Sequence, residues 1–105
     1  MENPNIEYIN KLSGNEEAVK QKLIDILKFE LPLEIDAYHN SLHLKKWSQT
    51  MECIHKLKNK IGILGLEASY DLADEYEKSE KSNRKDLQIA FEKTLTLMQH
   101  FVNCL

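Results

Sequence analysis

The sequence predicts an all-α protein, an antiparallel up-down-up-down four-helix bundle with a short additional N-terminal helix. Three observations favour this fold class. Apolar residues recur with a helical period of about 3.6 residues in four long segments, and no segment alternates apolar and polar residues as a half-buried strand does. The 105 residues include only three Gly and two Pro, which leaves little room for a turn-rich β fold. Long helices joined by short connections are expected to pack antiparallel.

A short first helix is predicted near the N-terminus. Asn3-Pro4 suits a helix start, because Asn can cap a helix and Pro fits its first turn. Ser13-Gly14 is expected to end the helix, since Gly readily adopts the backbone conformation that closes one. The small apolar face of this helix consists of Ile6, Ile9 and Leu12.

The second helix is predicted to begin at Asn15, which can cap it. Glu16 and Glu17 lie in its first turn, where the helix dipole favours acids. Pro32 falls inside the apolar pattern, and we expect a kink there, because the apolar spacing resumes after it. The predicted inward stripe consists of Val19, Leu23, Ile26, Leu27, Leu31, Ile35 and Tyr38.

Two more helices follow a short connection at 41–45. The third is predicted from about Lys45 to Leu64 and is ended by Gly65. The fourth runs from Leu66 to about Lys81 and frays into a polar loop. The residues predicted to face inward are Trp47, Met51, Ile54, Leu57, Ile61 and Leu64 in the third helix, and Leu66, Ser69, Leu72, Ala73 and Tyr76 in the fourth.

The last helix is expected to begin at a cap formed by Ser82 or Asn83, with Asp86 in its first turn. A chain of 105 residues is long enough for one domain, which we place at 1–105. The inward face of this helix is predicted to consist of Leu87, Phe91, Thr94, Leu95, Met98, Phe101, Val102 and Leu105.

Composition and charge narrow the class of protein. The chain is 42% hydrophobic and 30% charged, which is typical of a soluble globular protein. It has no apolar run of the ~20 residues that a transmembrane helix needs and no signal-peptide pattern, so we expect a cytoplasmic protein with no membrane contact. A net charge of −3 argues against general nucleic-acid binding. Cys53 and Cys104 are expected to be free thiols.

Positive charge is concentrated along the third helix. Between Lys45 and Lys60 the sequence has five lysines and a single acid, Glu52, although the whole chain is acidic. Lys56 and Lys58 flank a histidine, which favours a site for an anionic group. Lys45 and Lys46 are equally well explained as part of a solvated helix face.

His55 is predicted to point to water from the third helix. At about 100° per residue it lies about 200° from Leu57 in the buried stripe. Asn59 and Gly62 follow four and seven residues later on the same exposed strip, and Lys58 lies beside it. The prediction is a solvent-facing imidazole with small residues and a lysine around it.

This stretch resembles the motif of histidine phosphotransfer (HPt) domains, the phosphocarrier modules of multistep two-component phosphorelays. The motif is a His followed by Leu, Lys, Gly and Gly at two, three, four and ten residues. Those positions are His55, Leu57, Lys58, Asn59 and Gly65 here, so Asn59 departs from the motif. The resemblance also covers residues 5–14, which are similar to the family's short opening helix, as well as Leu31-Pro32, Trp47 and Leu72-Ala73.

The resemblance implies both a function and a set of site residues. His55 would accept a phosphoryl group at Nε2 from the aspartyl phosphate of a response-regulator receiver domain and pass it to another receiver. Lys58 would steady the phosphoryl oxygens or orient the ring, while Asn59 and Gly62 would lie on the docking strip. A hybrid sensor histidine kinase is a further implied partner. The chain would be a monomeric phosphocarrier without kinase activity or cofactor of its own, because the receiver would supply Mg²⁺.

Two other interpretations remain open. The chain could be a helical interaction or dimerisation domain in which His55 is incidental. It could also be a metal-binding bundle, since His39 and His43 have the i, i+4 spacing of ligands on one helix face. His100 is expected at the edge of the core. Phe29 lies between the inward stripe and water and is a candidate for an exposed docking patch.

Overall fold

A computed structural model describes residues 2–105 and contains five α-helices in that range. The helices are α1 Glu7–Ser13, α2 Glu17–His43, α3 Trp47–Ile63, α4 Glu67–Glu77 and α5 Arg84–Asn103. No strand occurs among the described residues. The all-α class predicted from the periodicity is confirmed.

The helices enclose one hydrophobic core. Helix α2 packs against α3, α3 against α4, α4 against α5, and α5 in turn against α2, while α1 lies on α2. The predicted stripes supply most of the core, because each stripe turns the apolar side of its helix towards its neighbours. Its buried members from those stripes are Leu27, Leu31, Tyr38, Ile54, Leu57, Ile61, Leu64, Leu66, Ala73, Tyr76, Phe91, Leu95, Met98 and Val102.

A tyrosine pair joins α2 to α4 inside this core. The hydroxyls of Tyr38 and Tyr76 lie 2.7 Å apart, and the Tyr38 hydroxyl also donates to Glu92 Oε2 at 3.2 Å. Burial raises the pKa of both phenols, so both stay uncharged. Because Tyr76 is anchored in this way, the last turn of α4 is held in register beside α3.

The inward stripe of α2 differs from the prediction in its first half. Val19 and Ile26 were predicted to face inward and are exposed, whereas Ile24 is buried. Val19 lies in the first turn of α2. Helix α2 has 27 residues and α3 has 17, so at 1.5 Å per residue the first turns of α2 extend beyond the cover that α3 provides. Ile26 is exposed because it lies on the same face as the exposed Phe29 and Leu33, whereas Leu27 beside it is buried.

Several helix ends also differ from the prediction. Asn15 does not cap α2, because it lies in the preceding turn with φ 66° and Glu16 takes the N-cap position. Helix α1 begins one turn after Asn3-Pro4, where Asn5 Oδ1 accepts the Glu7 N–H at 3.1 Å. Helix α4 ends at Glu77 rather than near Lys81. Helix α2 continues through Pro32 without a break, and the kink predicted there stays a prediction.

Gly65 closes α3 as predicted. Its φ of 75° lies in the left-handed region, which lets the Leu66 N–H donate back to the Ile61 carbonyl. A Cβ at this position would lie 2.6 Å from Asn5 Nδ2, and the Asn5 N–H donates to the Leu64 carbonyl at 2.9 Å. The glycine therefore allows the N-terminal segment to lie against the end of α3.

Candidate functional site

His55 lies in the middle of α3 and its side chain is 59% exposed. Its exposure follows the helical period, since the neighbouring Ile54 and Leu57 are fully buried. The ring nitrogen Nδ1 lies 3.2 Å from Oε1 of Glu77 on α4. The other ring nitrogen, Nε2, has no hydrogen-bond partner among residues 2–105, so one nitrogen is held and the other remains available.

The carboxylate of Glu77 also faces Lys58. Lys58 Nζ lies 3.4 Å from Glu77 Oε1 and donates to Asp74 Oδ1 at 3.1 Å. Glu77 is 21% exposed and stands between an ammonium and an imidazole. The four side chains form one chain of contacts from α4 to His55, which we call the His55 network: His55, Glu77, Lys58 and Asp74.

The electrostatics of the His55 network favour the charged forms of two of its members, Lys58 and Asp74. Burial alone would lower the pKa of the Lys58 amine, but the hydrogen bond to Asp74 and the charge of Glu77 outweigh burial and raise it. Hydrogen bonds from Lys78 and Lys58 lower the pKa of Asp74. Lys58 is therefore a cation held between two anions.

Lys58 is more buried than the sequence predicted. The sequence interpretation gave Lys56 and Lys58 the same role, as exposed cations that flank a histidine. In the structure Lys56 is exposed, whereas the side chain of Lys58 is only 8% exposed and lies in the α3–α4 interface. At about 100° per residue Lys58 lies on the side of His55 that faces α4, and the acids of α4 draw its ammonium inward.

The other two predicted site residues, Asn59 and Gly62, differ in solvent exposure. Asn59 is exposed and close to His55 along the helix, and its side chain has no hydrogen bond among the described residues. Gly62 is half-buried beside Tyr70, and a Cβ there would meet the ring at 3.5 Å, an ordinary contact. Gly62 therefore lines a shallow hollow between α3 and α4, not a fully open strip.

An open depression surrounds His55. Its volume is about 890 Å³, and it is lined by Ser48, Met51, Glu52, His55, Lys56, Glu77 and Lys78. Met51 was predicted to belong to the core, but it is half-buried and contributes to this surface. The imidazole is thus approached over a broad mixed surface, which suits a macromolecular partner better than an enclosed small ligand.

An exposed apolar row runs along α2 on the side of α3. Ile26, Phe29 and Leu33 are 42%, 71% and 56% exposed, and their spacing of three and four residues puts them on one face. Leu33 shares a small cleft with Cys53 and Lys56 of α3. The candidate exposed patch at Phe29 is therefore present and reaches the helix that carries His55.

Sequence reasoning missed Glu77 and Asp74. Both acids lie on α4, the helix that follows the one carrying the histidine. Glu77 comes 22 residues after His55, and Asp74 comes 16 residues after Lys58. The available signal was their i, i+3 spacing, which puts two acids on one face of α4. That signal becomes informative only if this face of α4 is known to lie against α3.

The other histidines stand apart from the His55 network. His39, His43 and His100 are exposed, so His100 lies further outside the core than the predicted edge position. Within residues 2–105 no group of three or more His, Cys, Asp or Glu side chains is arranged to hold a metal ion. No helix in that range is long and apolar enough to cross a membrane.

A comparison with protein-family models found no match, and no curated protein and no solved structure matches the chain. The family resemblance therefore rests on the motif residues of the sequence alone.

Proposed function

We propose that this protein is a histidine phosphotransfer module that accepts a phosphoryl group on His55 from the aspartyl phosphate of a receiver domain and passes it to another receiver. The proposal rests on the exposure of the His55 imidazole and on its contact with Glu77. The imidazole is exposed in the middle of a helix, its Nδ1 is held by the Glu77 carboxylate, and its Nε2 is free. The proposal includes an up-down-up-down bundle of α2 to α5, which the closed sequence of packing pairs supports.

Glu77 is the residue that prepares the nucleophile. If the Glu77 carboxylate accepts the Nδ1–H, the neutral ring carries its proton on Nδ1 and has a lone pair on Nε2. That lone pair attacks the phosphorus, and the phosphorus–oxygen bond to the receiver aspartate breaks and leaves a free carboxylate. The ring becomes cationic during this step, and the nearby Glu77 charge stabilises that cation.

Lys58 takes a positioning role in this proposal. Its ammonium contacts Glu77 and Asp74, so it orients the carboxylate that orients His55. The Glu77 carboxylate beside the acceptor repels an incoming phosphoryl group. The receiver must therefore bring compensating positive charge, and its Mg²⁺ fits this requirement. Under the proposal the chain itself needs no cofactor and has no kinase activity.

The docking surface would include both α2 and α3. Asn59 and Lys56 are exposed beside His55, and the Phe29 and Leu33 side chains extend this surface onto α2. A receiver that covers His55 would bury these apolar side chains and gain their transfer free energy. A hybrid sensor kinase would offer the same receiver surface, and a monomer in the cytoplasm is the form expected to bind it.

The test is incubation with phosphorylated receivers, scoring acid-labile label on the protein. His55→Gln is expected to fold like the parent and take up no label, because the side chain is exposed and its loss removes the nucleophile. His100→Gln is the matched control, an exposed histidine on α5, and should be labelled normally. Label that persists on His55→Gln and disappears from a His39, His43 or His100 variant would overturn the assignment.

A helical interaction domain remains the second candidate, and the exposed row of Ile26, Phe29 and Leu33 is the observation that favours it. Under that alternative a partner binds equally well to the parent and to His55→Gln, and no label is transferred. Phe29→Ala then lowers affinity in both backgrounds. Receiver binding that depends on Phe29 together with label that depends on His55 supports the phosphotransfer proposal.

A further inference from the structure

A second, chemically different depression lies at one end of the molecule. It opens between the α2–α3 turn and the α4–α5 loop and has a volume of about 430 Å³. Counted along α3, Trp47 precedes His55 by eight residues, or about 12 Å at 1.5 Å per residue. We call it the basic pocket, and it is lined by Leu42, Lys45, Lys46, Trp47, Thr50, Lys81 and Arg84.

The basic pocket is cationic in an acidic protein. Four of its seven lining residues are basic and none is acidic, although the chain carries a net charge of −3. The ammonium groups of Lys45, Lys46 and Lys81 have no hydrogen bond or ion pair among residues 2–105. Four like charges around one concave surface repel one another, and a bound anion would relieve that repulsion.

Arg84 gives the basic pocket a fixed wall. Its guanidinium lies 3.7 Å from the centre of the Trp47 ring and donates to the Ser79 carbonyl at 3.0 Å. The first turn of α3 adds further donors, because α3 begins after Lys46 and has no side-chain cap. Uncapped N–H groups at a helix start carry partial positive charge and favour an anion.

We propose that the basic pocket binds a compact phosphorylated small molecule with at least two negative charges. The cations come from two loops, so a ligand with more than one anionic group can contact both sides. The volume is in the range of small-molecule sites. A nucleobase is not required, because Arg84 already occupies a face of the only tryptophan and Tyr76 packs against the same residue.

The single tryptophan provides the readout. Inorganic pyrophosphate is titrated into the full chain at constant ionic strength while Trp47 fluorescence is recorded. A saturable change is expected. The double variant Lys46→Gln and Lys81→Gln should weaken binding by at least about tenfold, since it removes two charge-assisted contacts. Arg84 is left unchanged, because its contacts to Ser79 and Trp47 hold the loop.

Matched controls separate this site from general charge effects and from the His55 network. The double variant Lys11→Gln and Lys22→Gln removes the same charge from two exposed lysines elsewhere and should bind pyrophosphate like the parent. His55→Gln should also bind like the parent, so a failure of the phosphotransfer proposal leaves this one standing. ATP should bind no more tightly than tripolyphosphate if the base makes no contact.

Three results would overturn the proposal. The first is a fluorescence change that does not saturate at constant ionic strength. The second is equal weakening in both double variants, which would show non-specific attraction. The third is saturable binding of a poly-glutamate peptide without binding of pyrophosphate, which would identify the basic pocket as a contact for an acidic protein segment.

Discussion

Two groups of lysines on and around α3 differ sharply in their surroundings. Lys58 and Lys60 lie between helices, and each contacts two acids: Lys60 Nζ is 2.9 Å from Glu30 and 3.1 Å from Glu34 on α2. The lysines of the basic pocket have no acidic partner among the described residues. Lysines thus hold helices together in one place and, within residues 2–105, form a cationic surface without acidic partners in the other.

The difference decides which lysines can receive an anion. An incoming phosphate must compete with two carboxylates at Lys58, whereas Lys46 and Lys81 have only solvent to displace. The paired lysines stay charged because hydrogen bonds and acid charges outweigh the cost of burial and raise the pKa of both. Under the proposed function, phosphate chemistry at His55 would therefore depend on what its partner brings, whereas the anion binding proposed for the basic pocket would not.

The largest expected effect is a loss of stability when the side chain of Lys58 is truncated. Lys58→Ala leaves Glu77 and Asp74 without their shared cation and removes a buried aliphatic stem, so the free energy of unfolding should fall by about 1–3 kcal/mol. Lys81→Ala, an exposed lysine of the basic pocket, should change it by less than about 0.5 kcal/mol. Urea denaturation of both variants measures the contrast, and equal losses would remove the distinction between the two groups.

A second experiment tests whether Glu77, one of the two acids that contact Lys58, also takes part in the proposed phosphoryl transfer to His55. Glu77→Ala releases Nδ1 of His55, so single-turnover transfer from a phosphorylated receiver should slow by about tenfold or more at saturating receiver. Glu75→Ala, on the exposed side of the same helix, is the control and should transfer like the parent. If receiver affinity falls while the transfer rate stays unchanged, Glu77 acts in docking and not in positioning.

A smaller gain in stability is expected at the basic pocket. Lys45 has a φ of 56°, a left-handed conformation that costs a side-chain-bearing residue about 1 kcal/mol. Lys45→Gly should therefore raise the free energy of unfolding by about 0.5–1 kcal/mol. Lys46→Gly removes the same charge at a φ of −102° and should give no such gain. Thermal unfolding of both variants checks the sign.

The smallest effect concerns pH. The folded-state pKa of Asp74 is lowered by its hydrogen bonds to Lys78 and Lys58, so its contribution to stability is present at neutral pH and is lost as the pH falls below 3.8. The difference in unfolding free energy between the parent and Asp74→Asn should shrink over that range. Asp71→Asn, at an exposed residue with no ion pair among residues 2–105, should differ little from the parent at any pH. A constant Asp74→Asn difference down to pH 2 would contradict the ion-pair account.

The sequence by itself determined the features that depend on neighbours along one helix. The stripe of Ile54, Leu57 and Ile61 and the exposure of His55 follow from the helical period, and the end of α3 follows from Gly65. These features are local, so no knowledge of the other helices is needed to predict them. The same reasoning failed for Val19, where burial depends on how far a neighbouring helix reaches, and for Ile26, which lies on the exposed face of Phe29 and Leu33.

Only the tertiary structure decided what surrounds the imidazole. Glu77 meets His55 across 22 residues, and the burial of Lys58 depends on the acids of α4. The basic pocket likewise combines Lys46 with two residues distant in sequence, Lys81 of the α4–α5 loop and Arg84 at the start of α5. Helical periodicity specifies which way a side chain points from its own axis. It does not specify which charges the opposite helix presents, and those charges separate a paired lysine from a free one.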